Sequence, residues 1–214
     1  MSKSRNLLVE LFVEELPPKA LKKLGEAFAA VLADSLRAQG LAAADAAVTS
    51  YASPRRLAVQ VANVVTVAPD AEVNRKVMPA SVALDATGKP TQAFRKAMAK
   101  LGREHLCDLL PDAVDGPDKL LLQSDGKAEA FFLRSLAKGT ALTVGLQNAL
   151  DEAIAKLPIP KVMQYQLETG PGPNFQPGWT SVNFVRPAHG LVALHGADVV
   201  PATALGLESG RTTQ

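Results

Sequence analysis

In "LLVELFVEELPPKAL", residues 7–21, an apolar-rich run meets two adjacent prolines. Odd positions hold Leu7, Val9, Leu11 and Val13, and even positions hold Leu8 and Phe12. Both faces are therefore largely apolar, the pattern of a strand with neighbours on both sides. Pro17 and Pro18 end that strand, because proline donates no ladder hydrogen bond, while its fixed φ suits a first helical turn. Leu21, Leu24, Phe28, Val31, Leu32 and Leu36 then recur at helical spacing, with Lys22, Lys23, Glu26 and Arg37 elsewhere around the helix and Gly40 as a stop. A chain that opens this way must lay an amphipathic helix against a sheet.

The stretch "VTSYASPRRLAVQVANVVTV", residues 48–67, adds a bent or paired strand region. Leu57, Val59 and Val61 share one face and Ala58 and Gln60 the other, which gives a β-α-β-β opening. "DATGKP" is a turn, after which Pro90 starts a short helix with Phe94, Ala97, Met98 and Leu101 inward, a basic outer side and Gly102 at its end. "DAVDGPD" reads as a loop, and "KLLLQSDGKAEAFFL" as two strands around an Asp125-Gly126 turn. Thr140 is the expected N-cap of a helix over about 140–157, with Leu142, Leu146, Leu150, Ala153, Ile154 and Leu157 inward and Pro158 and Pro160 ending it. "LETGPGPNFQPGW" reads as a mobile surface loop, and the region from Val182 onward as short antiparallel strands with a turn at Gly196 to Asp198. The expected class is α+β, with mixed and antiparallel sheets and packed amphipathic helices. The polar turn near 85–90 divides it into an N-terminal subdomain, 1–87, and a second α+β subdomain, 88–214.

Composition narrows function. With 47% hydrophobic and 21% charged residues, the chain is globular in class. It holds no apolar run near the roughly 20 residues that span a bilayer, and glutamates stand where a signal peptide needs an uncharged stretch, so the expected location is cytoplasmic, with no membrane partner. Cys107 is the sole cysteine, which leaves neither a disulfide nor a thiolate zinc site. His189 and His195 fall on one strand face by parity but stand too far apart to share a metal. No Gly-rich phosphate loop, nucleophile elbow or HExxH stretch is present. No residue is assigned a catalytic, cofactor-binding or metal-ligating role.

The charges at the corner have two readings. Glu15 continues the Leu7 to Val13 face whereas Glu14 shares a face with Glu10 and Phe12, so the two carboxylates point apart and do not form an acid/base pair. In "SPRRL", Arg55 falls with Leu57 and Val59. An inward guanidinium needs a carboxylate, and Glu15 is the expected partner in a structural ion pair. Arg56, on the other face, joins Lys96 and Lys100, at i,i+4 spacing, as positions able to touch phosphates. A net charge of only +2 and 5% aromatic content argue for a solvated helix face instead.

Four phrases, "LLVELFVEELPPKAL", "SPRRLAVQVANV", "LPIPKVMQY" and "VNFVRPAHGLVALHGADVVPATALGLESGR", occur in an order that resembles the N-terminal part of the bacterial glycyl-tRNA synthetase beta subunit. Family members are several times longer, so the resemblance implies an N-terminal fragment. The loop at 167–179 is longer than the family minimum. The resemblance implies a non-catalytic part of a glycine–tRNA ligase, inactive alone, in an alpha2beta2 assembly. ATP, magnesium and glycine are expected at the alpha subunit, with no cofactor in this fragment. Implied partners are the alpha subunit, the remainder of beta, and glycine tRNA. Within the family-like phrases, Lys161 and Arg186 join Arg56, Lys96 and Lys100 as expected tRNA contacts. An assembly scaffold is the favoured reading and a direct tRNA-backbone-binding module the alternative.

Overall fold

The computed structural model describes residues 3–110, 113–124, 126, 128–168, 170 and 175–213. In chain order the elements are β1 (Ser4–Val13), α1 (Pro18–Ala38), β2 (Val48–Ser53), β3 (Arg56–Val65), β4 (Ala71–Pro79), α2 (Ala80–Ala83) and α3 (Gln92–Lys100). After a 3-10 turn at Glu104–Leu109 come β5 (Val114–Asp115), β6 (Asp118–Ser124), β7 (Glu129–Ala137) and α4 (Leu142–Ala155). The remainder is β8 (Met163–Gln166), β9 (Ser181–Phe184), β10 (Ala188–His195), β11 (Asp198–Val199), β12 (Thr203–Ala204) and β13 (Leu207–Gly210). The class is α+β, as expected.

The chain divides into two compact units, residues 1–69 with 139–214, and residues 70–138. The expected division near residue 87 falls inside the second unit. There the Asp85 carboxylate accepts from the Thr87 amide and hydroxyl and from the Lys89 amide at 2.7–3.0 Å, closing a local turn. Asx chemistry marks where a chain reverses, not where one core stops and another begins.

In the first unit the sheet order is β12-β13-β10-β1-β3-β2, with β11 on β10. β1 is central, antiparallel to both β3 and β10. Its odd side chains, Leu7 to Val13, are fully buried with Leu57, Val59 and Val61. α1 and α4 pack there through Leu24, Phe28, Leu32 and Leu36 and through Leu146, Ala149 and Leu150. The even face is only half-buried, so the apolar character of Leu8 and Phe12 marks an uncovered sheet face rather than a second core layer.

α1 starts with Pro18 and no side-chain cap, and it ends in a 6→1, 5→2 pair. The Leu41 amide donates to the Leu36 carbonyl and the Gly40 amide to the Arg37 carbonyl, both at 2.9 Å, with Gly40 at φ +72°. At α4 the expected Thr140 cap is replaced. Ala141 occupies the N-cap without a side-chain bond, because the Thr140 carbonyl is held by the Ala68 amide at 2.9 Å in a strand-like bridge.

The second unit is a four-stranded antiparallel sheet, β4-β7-β6-β5. One face is covered by Phe94 and Met98 of α3 and by Leu106 and Cys107, which meet Leu120, Phe131 and Leu133. Phe94 and Phe131 stack at 4.9 Å. Thr91 caps α3 by accepting from the Phe94 amide. The β6–β7 hairpin forms, but Ser124 pairs with Glu129, so positions 125–128 separate the strands where a two-residue Asp125-Gly126 turn was expected; Asp125 lies outside the described residues, as do residues 169 and 171–174 of the expected surface loop. The expected "DAVDGPD" loop contains a tight turn at Gly116 and Pro117, because β5 pairs back onto β6.

Candidate functional site

The strand-to-helix corner is built by backbone bonds. The Val13 amide donates to the Arg55 carbonyl, the Leu16 amide to the Pro54 carbonyl and the Glu14 amide to the Pro187 carbonyl, at 2.6–2.9 Å. Leu16 is buried beneath them while Glu14 and Glu15 stay exposed. Among the described residues no ion pair joins Arg55 to Glu15. The reason is local: Ser53 pairs with Arg56, which leaves Pro54 and Arg55 as a two-residue hairpin turn. Strand parity therefore ends at Arg56, and Arg55 is exposed rather than inward.

The other face of β1 carries the charge cluster. Arg56 sits opposite Phe12 in the ladder, its Nη1 3.6 Å from Glu10 Oε1 and its guanidinium carbon 5.8 Å from the Phe12 ring centre. Glu10 is the more buried partner, at 14% exposure, and also accepts from the Thr213 hydroxyl. A bulge in β1–β10 pairing, where Phe12 faces Gly190 and Val13 faces Ala188, throws His189 out to this face. There His189 lies 6.0 Å from Phe12, ring to ring, and 3.4 Å from Glu14. His195 stays inside, with Nε2 donating to the Val64 carbonyl at 2.7 Å. The two histidines thus occupy opposite faces, contrary to the parity expectation, because a bulge inverts alternation. A recess of about 230 Å³ opens over Glu10, Phe12, His189 and Arg211, and another of about 560 Å³ over Leu8, Tyr51, Arg56 and Ala58.

Arg186 is absorbed structurally. It donates from Nε to the Glu15 carbonyl and from Nη1 to the Val185 carbonyl, both at 2.9 Å, and reaches the Met163 sulfur at 3.2 Å. Lys161 is exposed on the same unit. Lys96 and Lys100 are exposed on α3, in the other unit. Their arginine neighbours are engaged: Arg95 Nη2 lies 2.6 Å from Asp108, and Arg103 Nε pairs with the buried Asp118. The Arg95 hydrogen bond holds the Asp108 carboxyl below the usual carboxylate range. Burial pushes the Cys107 thiol up, which keeps it a protonated core residue.

Among the described residues no group of three His, Cys, Asp or Glu side chains converges to hold a metal ion, and no helix is long and apolar enough to cross a membrane. Sequence reading missed the Glu10–Phe12–His189 grouping. Its signal was available only as even parity in β1, since the bulge that delivers His189 follows from strand pairing.

The family model described as "Glycyl-tRNA synthetase beta subunit" matches residues 7–214. The chain belongs to the glycyl-tRNA synthetase beta subunit family. It is 59% identical over 211 residues to the "Glycine--tRNA ligase beta subunit" of Polaromonas naphthalenivorans (strain CJ2), a match covering 99% of this chain and 29% of that protein. The same-named proteins of Leptothrix cholodnii and Dechloromonas aromatica are 61% and 58% identical, covering 97% and 98% of this chain and 27% and 28% of theirs. The chain thus spans under a third of the length of these relatives.

Proposed function

We propose that this chain is the part of a glycine–tRNA ligase beta subunit that supports ATP-dependent attachment of glycine to its tRNA through subunit assembly. In this reading it is inactive alone and cytoplasmic. ATP and magnesium act at the alpha subunit of an alpha2beta2 enzyme, and the partners are alpha, the rest of beta and glycine tRNA. Family membership supports the enzyme; the uncovered sheet face of the first unit supports assembly. On that face Phe12, Leu8 and the half-exposed Tyr51 stand among Glu10, Arg56 and His189, a mix of aromatic anchors and arginine that suits a protein interface. Arg56 and Arg186, expected on RNA, already engage Glu10 and Phe12 in one case and main-chain carbonyls in the other.

The experiment is capture of purified alpha subunit on the immobilised chain, repeated with Phe12→Asp and Tyr51→Asp. Capture that is lost in those variants, with melting behaviour retained, is the expected result. Absence of capture by the parent chain overturns the assembly reading.

The second reading, direct tRNA contact, is favoured by the exposed Lys96 and Lys100 pair. Their replacement by alanine is then expected to weaken tRNA binding and flatten its salt dependence.

A further inference from the structure

We propose that the sheet of the 70–138 unit binds the phosphodiester backbone of RNA on the face opposite its helices, through Lys119 and Arg134. This deepens the reading of the chain as part of a tRNA ligase and rests on it.

Register defines the face. Arg134 of β7 lies directly between Asn74 of β4 and Lys119 of β6, and the next row on the same face is Lys76, Phe132 and Leu121. Phe131, Leu133 and Leu120 point the other way, into the core. Lys119 is exposed and Arg134 half-exposed. Among the described residues neither is joined to a carboxylate, although directly opposed cross-strand positions lie only about 5 Å apart at Cβ and like charges there are destabilising.

Carboxylates are not scarce in this unit. Asp108 is taken by Arg95, Asp118 by Arg103 and Asp115 by His105, at 2.9 Å in the last case, all on the helix side or at the β5 edge. On the opposite face Glu72, opposite Leu136, is the one acidic side chain the β4–β7–β6 register places there. These three carboxylates are thus neutralised away from the open face, where Lys119 and Arg134 face one another directly and Glu72 lies two positions along β4 from Asn74. An anion laid along the face relieves the repulsion, and a polyanion with regularly spaced charges can meet both cations. The Asn74 amide, which donates to Gln123 Oε1 at 3.1 Å across β7, adds uncharged donors and acceptors of the kind that meet sugar and phosphate oxygens.

The test uses the 214-residue chain and fluorescently labelled unfractionated tRNA, titrated at two or more salt concentrations, with melting and alpha-subunit capture run alongside. Lys119→Glu is expected to weaken tRNA affinity about tenfold and to lower the salt slope by about one contact. The same substitution is expected to raise Tm by about 1–3 °C, since it turns a repulsive cross-strand pair into an attractive one. Binding lost together with a lower Tm, or affinity and slope equal to the parent's, overturns the proposal. So does a parent chain that binds no tRNA, and if that chain still captures alpha, the assembly reading stands. Equal binding of a heparin fragment, with tRNA unable to displace it, would also overturn it by reducing the face to an unspecific polyanion site.

Discussion

Val67 and Ala141 face one another across an isolated antiparallel bridge, 74 positions apart in the chain. The bridge is extended on both sides, by the Ala68 amide on the Thr140 carbonyl at 2.9 Å and the Leu142 amide on the Thr66 carbonyl at 2.8 Å. The chain therefore leaves the first unit and returns to it at one place.

Closing such a gap needs little chain, because the ends are already adjacent. Replacing residues 70–138 by a Gly/Ser linker of about four residues is expected to leave a unit that melts cooperatively with its α1 and α4 signal intact. Circular dichroism and a thermal melt check this, and a non-cooperative melt would contradict it.

Gly139 stands where a Cβ would meet the Ala68 carbonyl oxygen at 1.6 Å. Since backbone cannot step aside like a side-chain tip, Gly139→Ala is expected to cost about 2 kcal/mol or more, read as a lower denaturation midpoint with an unchanged slope.

At Gly25 two effects oppose each other. Alanine there gains about 1 kcal/mol of helix propensity, but its Cβ would fall 2.6 Å from the Ala52 Cβ on β2, and such overpacking costs about 1–3 kcal/mol. Gly25→Ala is therefore expected to destabilise on balance, whereas alanine at an exposed helix glycine would stabilise. Urea unfolding decides the sign.

Asp118 is buried and its carboxylate is paired with Arg103. Arg103→Ala leaves that charge without its partner and is expected to cost about 2–3 kcal/mol, below the range for fully buried pairs because Arg103 is itself partly exposed. Arg103→Ala combined with Asp118→Asn should recover part of the loss, as a double-mutant cycle will measure.

Asp85 and Asp108 are both held below the ordinary aspartate range. The causes are the Thr87 hydroxyl and the Lys89 amide in the first case and Arg95 in the second. A carboxyl whose folded pKa is depressed adds stability above its unfolded pKa and loses it as pH falls through the folded value. The melting temperature is therefore expected to be level near neutrality and to drop below about pH 4. Asp108→Asn should make that acid limb shallower, and an unchanged limb would contradict the assignment.

The charge at the corner was legible only as far as the ladder runs. Parity correctly placed Arg56 with Ala58 and Glu10 with Phe12, since both lie within paired strands. It misplaced Arg55, one residue beyond β3 in the hairpin turn, and His189, at a bulge. Alternation is a property of regular pairing and carries nothing past a turn or a bulge.

Local chemistry was enough for β1, the proline start of α1, its Gly40 stop and the existence, though not the register, of the β6–β7 hairpin, because each depends on neighbours within a few positions. The order of four phrases was enough for the family. Tertiary structure alone decided the rest: the return of residue 141 to residue 67 and the uncovered face holding Phe12 and His189. Each joins segments distant in the chain, and strand register, which depends on which strands become neighbours, is set by burial across the whole sheet rather than by any window of sequence.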